Sequence, residues 1–183
     1  MSTDFFIENA CDNALCRLAV GDSEALTVIY DKLARRIFML CLSILGNKQD
    51  AEDAMQQTFL KLMSSSNGYK RGTNSKAYIL KTAQNISLNL LEKRKRESQL
   101  ISPEDENIPF FDEENFRDLE SLALLSEEER QIVVLKIECS MTHKQIASIV
   151  GLSTAACEKK YRRGLKKLES YYKPQKGEKK IYE

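Results

Sequence analysis

The chain has 183 residues, 42% of them hydrophobic and 30% charged, which fits one ordinary domain or two small ones and is the composition of a globular rather than a disordered chain. Its formal net charge is +1, and no apolar run approaches the ~18 residues of a membrane span, so a soluble protein without membrane insertion is expected. Seven Gly and three Pro among many Leu, Ala, Lys and Glu favour helix over sheet, because straight-chain residues lose little rotamer freedom in a helix. The opening MSTDFFIENACDN has acids where a secretory signal needs cations. Five cysteines, Cys11, Cys16, Cys41, Cys139 and Cys157, include no C-x-x-C pair, and His143 is the only histidine. Reduced buried thiols, a cytoplasmic location and no metal site or cofactor are therefore expected.

In chain order, Leu26, Ile29, Tyr30, Leu33 and Ile37 fall on one helical face that continues through Leu40, Cys41, Ile44 and Leu45 and stops at Gly46-Asn47. Asp50 is placed to cap a second helix, with Ala51, Ala54, Met55, Thr58, Phe59 and Leu62 as its buried stripe. A polar loop, SSSNGYKRGTN, follows. Ser75 is then expected to cap a third long helix that turns Ile79, Ala83, Ile86 and Leu90 inward and ends on Lys93, Arg94, Lys95 and Arg96, where cations suit the helix dipole.

Charge then changes sharply. Residues 1–97 carry 14 Lys/Arg against 11 Asp/Glu, residues 98–120 carry 1 against 8, and residues 121–183 carry 13 against 8. The near-neutral total conceals two basic lobes around an acidic strip whose two prolines disfavour a packed helix, so residues 98–120 read as a linker. Its Ile108, Phe110, Phe111 and Phe116 either dock elsewhere or pack locally against the lobes.

Beyond the strip, Ser126 and Glu129 have the spacing of a capping box, and Thr142 and Gln145 repeat it. Gly151 ends the short helix and Ser153 starts the next, which is the short helix, tight turn and longer helix of a helix-turn-helix. The last helix packs six cations into EKKYRRGLKKL. Cys157, Tyr161, Gly164, Leu165 and Leu168 share one face, and Ala155, Lys159, Arg162 and Lys166 the other. Glu158 is the only acid between Thr154 and Lys167, whereas a merely solvated face would mix the signs, so nucleic-acid binding is expected. Thr154, Ala155, Glu158, Lys159 and Arg162 are candidate base readers, and Arg163, Lys166 and Lys167 candidate phosphate anchors. Glu158 either accepts from a cytosine amino group or forms a surface salt bridge with Arg162. No Ser/His/Asp grouping, phosphate-binding Gly loop or metal spacing is visible, so no catalytic residue is assigned and an enzyme is not expected.

The stretch LSEEERQIVVLKIECSMTHKQIASIVGLSTAACEKKYRRGLKKL is similar to the C-terminal DNA-binding domain of bacterial RNA polymerase sigma factors. DAEDAMQQTFLKL resembles the D-A-x-D-x-x-Q-x-x-F helix of the same family, and AYILKTAQNISLNLLEKRKR its W-L-x-x-I-A-x-N helix. The order of these parts resembles the two-domain extracytoplasmic-function (ECF) group of the sigma-70 family, over about residues 10 to 172.

The resemblance implies an all-α architecture of two small helical domains. These are a sigma2-like bundle over residues 10–97 and a sigma4-like helix-turn-helix over 121–172, joined by the acidic linker 98–120 and followed by a basic tail at 173–183. It implies that Asp50, Asp53, Gln56 and Gln57 bind core RNA polymerase, with the beta-prime clamp and beta subunits as partners. It also implies that Asn67, Tyr69, Lys70, Arg71, Lys81, Asn85, Asn89, Lys93 and Arg94 engage the minus-ten element of promoter DNA, while the last helix reads the minus-thirty-five duplex. Tyr69 and Tyr78 either stack on a base or fill the core; Tyr78 replaces the family Trp, and Asn89 and Glu92 stand where Asp and Arg are common. The linker resembles the segment that threads toward the polymerase channel, where its acids would mimic nucleic acid. An anti-sigma factor is a further expected partner. The alternative is a stand-alone helix-turn-helix regulator that does not bind core polymerase.

Overall fold

The computed structural model describes residues 3–65, 68–99 and 121–173, and within them the regular structure is helical throughout. Asn67, the linker 98–120 beyond Gln99 and the tail beyond Lys173 lie outside the described residues. Four helices form the first lobe: α1 (Thr3–Ala19), α2 (Ala25–Leu45), α3 (Lys48–Ser65) and α4 (Ser75–Gln99). The second lobe opens on a helical turn at 121–123 and contains α5 (Glu127–Ile137), α6 (His143–Val150) and α7 (Thr154–Tyr172).

Helix α1 begins before the boundary expected at residue 10 and runs across it. Its Ile7, Cys11, Ala14, Leu15 and Leu18 recur at three- and four-residue spacing and are all buried, so it is an integral wall of the lobe. Helix α2 is the axis of the molecule, packed on α1, α3, α4 and α5. This explains why Met39 to Leu45 are buried without interruption: a helix covered on several sides is apolar all round. It ends at Gly46 in the left-handed conformation (φ 76°), which a residue with a Cβ adopts only at a cost.

Two caps fall elsewhere than expected. Asn47, not Asp50, caps α3: its Oδ1 accepts the Asp50 N–H at 2.8 Å, and its Nδ2 donates to Asp50 Oδ2 at 2.8 Å. Asn74, not Ser75, caps α4, accepting the Ala77 N–H at 2.7 Å, while the Ser75 hydroxyl turns to Glu8 of α1. In the second lobe the capping boxes at Ser126/Glu129 and Thr142/Gln145 and the Ser153 cap form as the sequence indicates.

The lobes meet through α5 on α2 and α6 on α4. The junction is polar where it is best defined: Arg36 Nε donates to the Glu138 carbonyl at 3.0 Å, buried Gln84 donates to buried Gln131 at 3.0 Å, and Lys81 Nζ donates to the Ile149 carbonyl. Arg36 Nη1 is buried without a hydrogen-bond partner. An unsatisfied buried donor costs about 1–3 kcal/mol, which weakens this junction.

All five cysteines are free thiols, four of them buried. Burial pushes Cys11 and Cys41 up to about 11 and raises Cys157, which keeps these sulfurs protonated and unreactive near neutrality. No described helix is long and apolar enough to cross a membrane.

Candidate nucleic-acid interface

Helix α7 lies on α5 and α6, with Cys157 and Gly164 buried and Tyr161 and Leu168 partly buried on its inner face. At Gly164 helices α7 and α5 approach closely: a Cβ there would stand 3.2 Å from Val133 Cγ2 and 3.7 Å from Glu129 Cβ. Gly164→Leu should therefore overpack the seam and cost about 1–3 kcal/mol. Gly164→Ala should stay close to neutral, because its gain in helix propensity of ~1 kcal/mol offsets the crowding. Thermal unfolding followed by far-UV circular dichroism separates the two variants.

Packing on α5 divides the six cations. Lys160 pairs with Glu128, while Arg163 and Lys167 both reach Glu129, the latter at 2.7 Å. Glu129 has 0% side-chain exposure and also accepts the Ser126 N–H at 3.0 Å. Burial alone would raise its carboxyl, but Lys167, the Ser126 amide and Arg163 more than offset this and hold it at about 2. Lys159 and Lys166, by contrast, are exposed and make no ion pair with a described residue. Arg162 is 81% exposed and lies 3.9 Å from Glu158, too far for a hydrogen bond. Lys159, Arg162 and Lys166, with Ala155, thus form the outward basic line, and Thr154 is exposed at its start. Arg163 and Lys167 flank that line, partly exposed but already paired.

Glu158 stands between two weak partners. Its Oε1 is 3.9 Å from His143 Nδ1, and the His143 ring leans on Tyr161 with centroids 5.2 Å apart. Pairs of that length near the surface contribute little, so the carboxylate keeps its capacity to accept a hydrogen bond.

In the first lobe, Asn85, Asn89 and Lys93 follow one another at four-residue spacing along the outer face of α4, all exposed. Lys93 lies 3.8 Å from Glu97 one turn on, an exposed pair that leaves its ammonium accessible. Lys81, on the same face, is drawn into the junction with the second lobe, and desolvation lowers its pKa. Lys70 and Arg71 project from the α3–α4 loop. Tyr69 is half-buried, with its ring 5.2 Å from Tyr78 and its hydroxyl on Asp12 of α1, so of the two roles open to it this arrangement is the packing one. Arg94 donates to Asp50 at 2.8 Å and to the Leu45 carbonyl at 3.2 Å. The structure therefore joins Asp50 and Arg94, expected in separate interfaces, in one staple between the start of α3 and the end of α4.

Asp53, Gln56 and Gln57 occupy the exposed side of α3, where no described group bonds their side chains. Leu60 and Met63 continue that side at 64% and 44% exposure, and Tyr30 of α2, packed on Phe59, stands at 53%. Sequence reasoning missed Leu60 and Met63, whose signal was apolar residues outside the core periodicity of α3, and it counted Tyr30 on the apolar face of α2, where the structure instead leaves it exposed.

The sigma-70 region 2 family profile matches residues 29–97, and the sigma-70 region 4 profile matches residues 119–168. The chain is 27% identical over 168 residues to the ECF RNA polymerase sigma factor SigE of Mycolicibacterium smegmatis, covering 84% of this chain and 65% of that relative's length. It is 25% identical over 159 residues to the RNA polymerase sigma factor CarQ of Myxococcus xanthus, covering 83% of this chain and 91% of the relative. Its fold resembles the sigma factor RpoE of Bartonella quintana, solved with the anti-sigma factor NepR, at a TM-score of 0.67 and 20% identity over 77% of this chain and 92% of the other. Both helical lobes and the order in which they follow one another are thus accounted for, and the chain belongs to the sigma-70 family of RNA polymerase sigma factors.

Proposed function

We propose that this chain is a promoter-specificity subunit that binds core RNA polymerase and has no catalytic chemistry of its own. The observation that carries the reading is the pair of modules in one chain, each with a polar or cationic face turned outward: Asp53, Gln56 and Gln57 on α3, Asn85, Asn89 and Lys93 on α4, and Lys159, Arg162 and Lys166 on α7. In this reading the α3 face meets the polymerase clamp, with Leu60, Met63 and Tyr30 supplying its apolar area. The α4 face and the loop before it hold the opened minus-ten strand, where extruding a base costs a few kcal/mol that a shaped pocket and cations must return. Helix α7 enters the upstream major groove, Thr154, Ala155 and Glu158 reading base edges, while Lys159 and Arg162, candidate readers by sequence, join Lys166 in gripping phosphates because the three share the outward line.

The acidic linker is assigned to the polymerase channel, residues 10–97 and 121–172 to the two binding domains, the cytoplasm to the protein, and an anti-sigma factor to its regulation. Asp50 is assigned a structural part beside any polymerase contact, since both Asn47 and Arg94 already hold it. The polar junction between the lobes suits a protein whose domains must separate to span two promoter elements. A stand-alone regulator is disfavoured by the region 2 match over residues 29–97.

The deciding experiment is run-off transcription with purified core polymerase on a promoter library; failure to initiate on any template refutes the reading. Asp53→Ala with Gln56→Ala should lower core-polymerase affinity by about tenfold, the effect of removing two modest interfacial hydrogen bonds, without lowering the melting temperature, as both side chains are exposed and unpaired. Fluorescence anisotropy of the labelled full chain against core polymerase measures it.

A further inference from the structure

The loop between α3 and α4 is shaped from outside, by α1. One carboxylate, Asp12, takes the Tyr69 hydroxyl and the Gly72 N–H at 3.0 Å, and lies 3.8 Å from Arg71 Nε. Next to it, Asn13 Oδ1 accepts from Arg71 Nη2 at 3.2 Å. One turn earlier, Glu8 takes the Ser75 hydroxyl at 2.8 Å and accepts the Lys76 N–H at 3.4 Å. Asp12 is 17% exposed, and its pKa is lowered, first by the Tyr69 hydrogen bond and then, against the opposing effect of burial, by the Gly72 amide and Arg71.

Within the loop itself, Thr73 bonds back to the Lys70 carbonyl through its N–H at 3.2 Å and its hydroxyl at 2.7 Å, closing a turn that leaves Gly72 at φ 78°. That turn fixes the local bend but not its direction relative to α4; the bonds to Asp12 do. Cations on an untethered loop would lose their freedom only on binding, whereas an anchored loop has lost it beforehand. Arg71 is 74% exposed although it lies against Asp12, so its guanidinium is aimed while still reachable.

We infer that Asp12 is a positioning residue for single-strand recognition: through Tyr69 and Gly72 it fixes the shape in which residues 68–74 offer Lys70 and Arg71 to the opened promoter strand. The inference rests on the function proposed above and adds a residue of α1, which lies outside the segment 29–97 that the region 2 profile matches.

The test compares Asp12→Ala, Asp12→Asn, Tyr69→Phe and the Asp12→Ala/Tyr69→Phe pair, each as the full chain with core polymerase. Permanganate reactivity of unpaired thymines reports open complexes on promoters that differ by single minus-ten bases. Tyr69→Phe should reduce discrimination among those promoters by about fivefold, the effect of one hydrogen bond, and Asp12→Ala, which also frees Gly72 and Arg71, by at least as much. The double variant should lose less than the two singles combined, because both remove the Tyr69–Asp12 link, while Asp12→Ala also frees Gly72 and Arg71 and Tyr69→Phe also gives up the Thr73 carbonyl. Asp12→Asn, which keeps an acceptor for Tyr69 and Gly72, should retain most of the discrimination, and core-polymerase affinity should not change in any variant. Additive losses, unchanged discrimination in both singles, or loss of core binding in step with opening would each overturn the positioning role. If the unaltered chain opens no promoter at all, the proposed function fails, and this inference with it.

Discussion

Replacing Glu129 with alanine is expected to destabilise the second lobe by about 3 kcal/mol, the lower end for breaking a buried ion pair, because its partners are partly exposed. Three bonds converge on this carboxylate: the Ser126 amide that closes the capping box, Arg163 and Lys167. Glu129→Gln keeps the shape and the cap but removes the charge, so it should lose less. The pH dependence distinguishes the two contributions. Glu129 ionises at about 2 in the folded chain against an ordinary 4.5, a lowered value, so its contribution is complete above about pH 4.5 and disappears as pH falls toward 2. Urea titrations followed by circular dichroism at pH 7, 4.5 and 3 should therefore show the wild-type chain losing more stability with acid than Glu129→Gln. Equal slopes for the two proteins would remove Glu129 from its place at the centre of the lobe.

The features that sequence made legible are those decided within a turn or two of helix. Ser126, Thr142 and Ser153 cap as expected because each donor and acceptor lies three residues apart, and Gly46 and Gly151 end their helices because only glycine takes φ 76° and 74° cheaply. The two displaced caps arose where a second good cap former stood close by. Asn47 precedes Asp50 by three residues and Asn74 precedes Ser75 by one, and the choice between Asn74 and Ser75 is completed by Glu8, 67 residues away. Helix α1 carries a readable apolar stripe from Ile7 to Leu18, but nothing local marks the acids between as partners of a distant loop, which Glu8 and Asp12 hold. The division of the α7 cations was not readable in the same way. Lys160, Arg163 and Lys167 find their partners 32 to 38 residues upstream, so their fate depends on how closely α7 approaches α5, and the one local sign of that approach is Gly164 on the buried face.

That division yields the largest expected effect on DNA. If phosphates are gripped by the outward line, the combined change of Lys159, Arg162 and Lys166 to alanine should reduce the slope of log affinity against log salt by about 2.7 on a duplex carrying the upstream element, about 0.9 for each phosphate no longer neutralised. Lys160→Ala is the contrasting variant. Its side chain is 27% exposed and its ammonium is paired with Glu128, so it should leave the slope almost unchanged. Arg163 and Lys167 fall between these cases, since each must share itself between Glu129 and a phosphate, and releasing either from a fully buried carboxylate offsets part of what the phosphate contributes. The measurement is binding of the reconstituted polymerase complex to one promoter between about 50 and 200 mM salt, where counterion release dominates. A slope that falls as much for Lys160→Ala as for each member of the outward line would mean that the ion pairs to α5 open on DNA and that the whole helix, not one face of it, lies against the backbone.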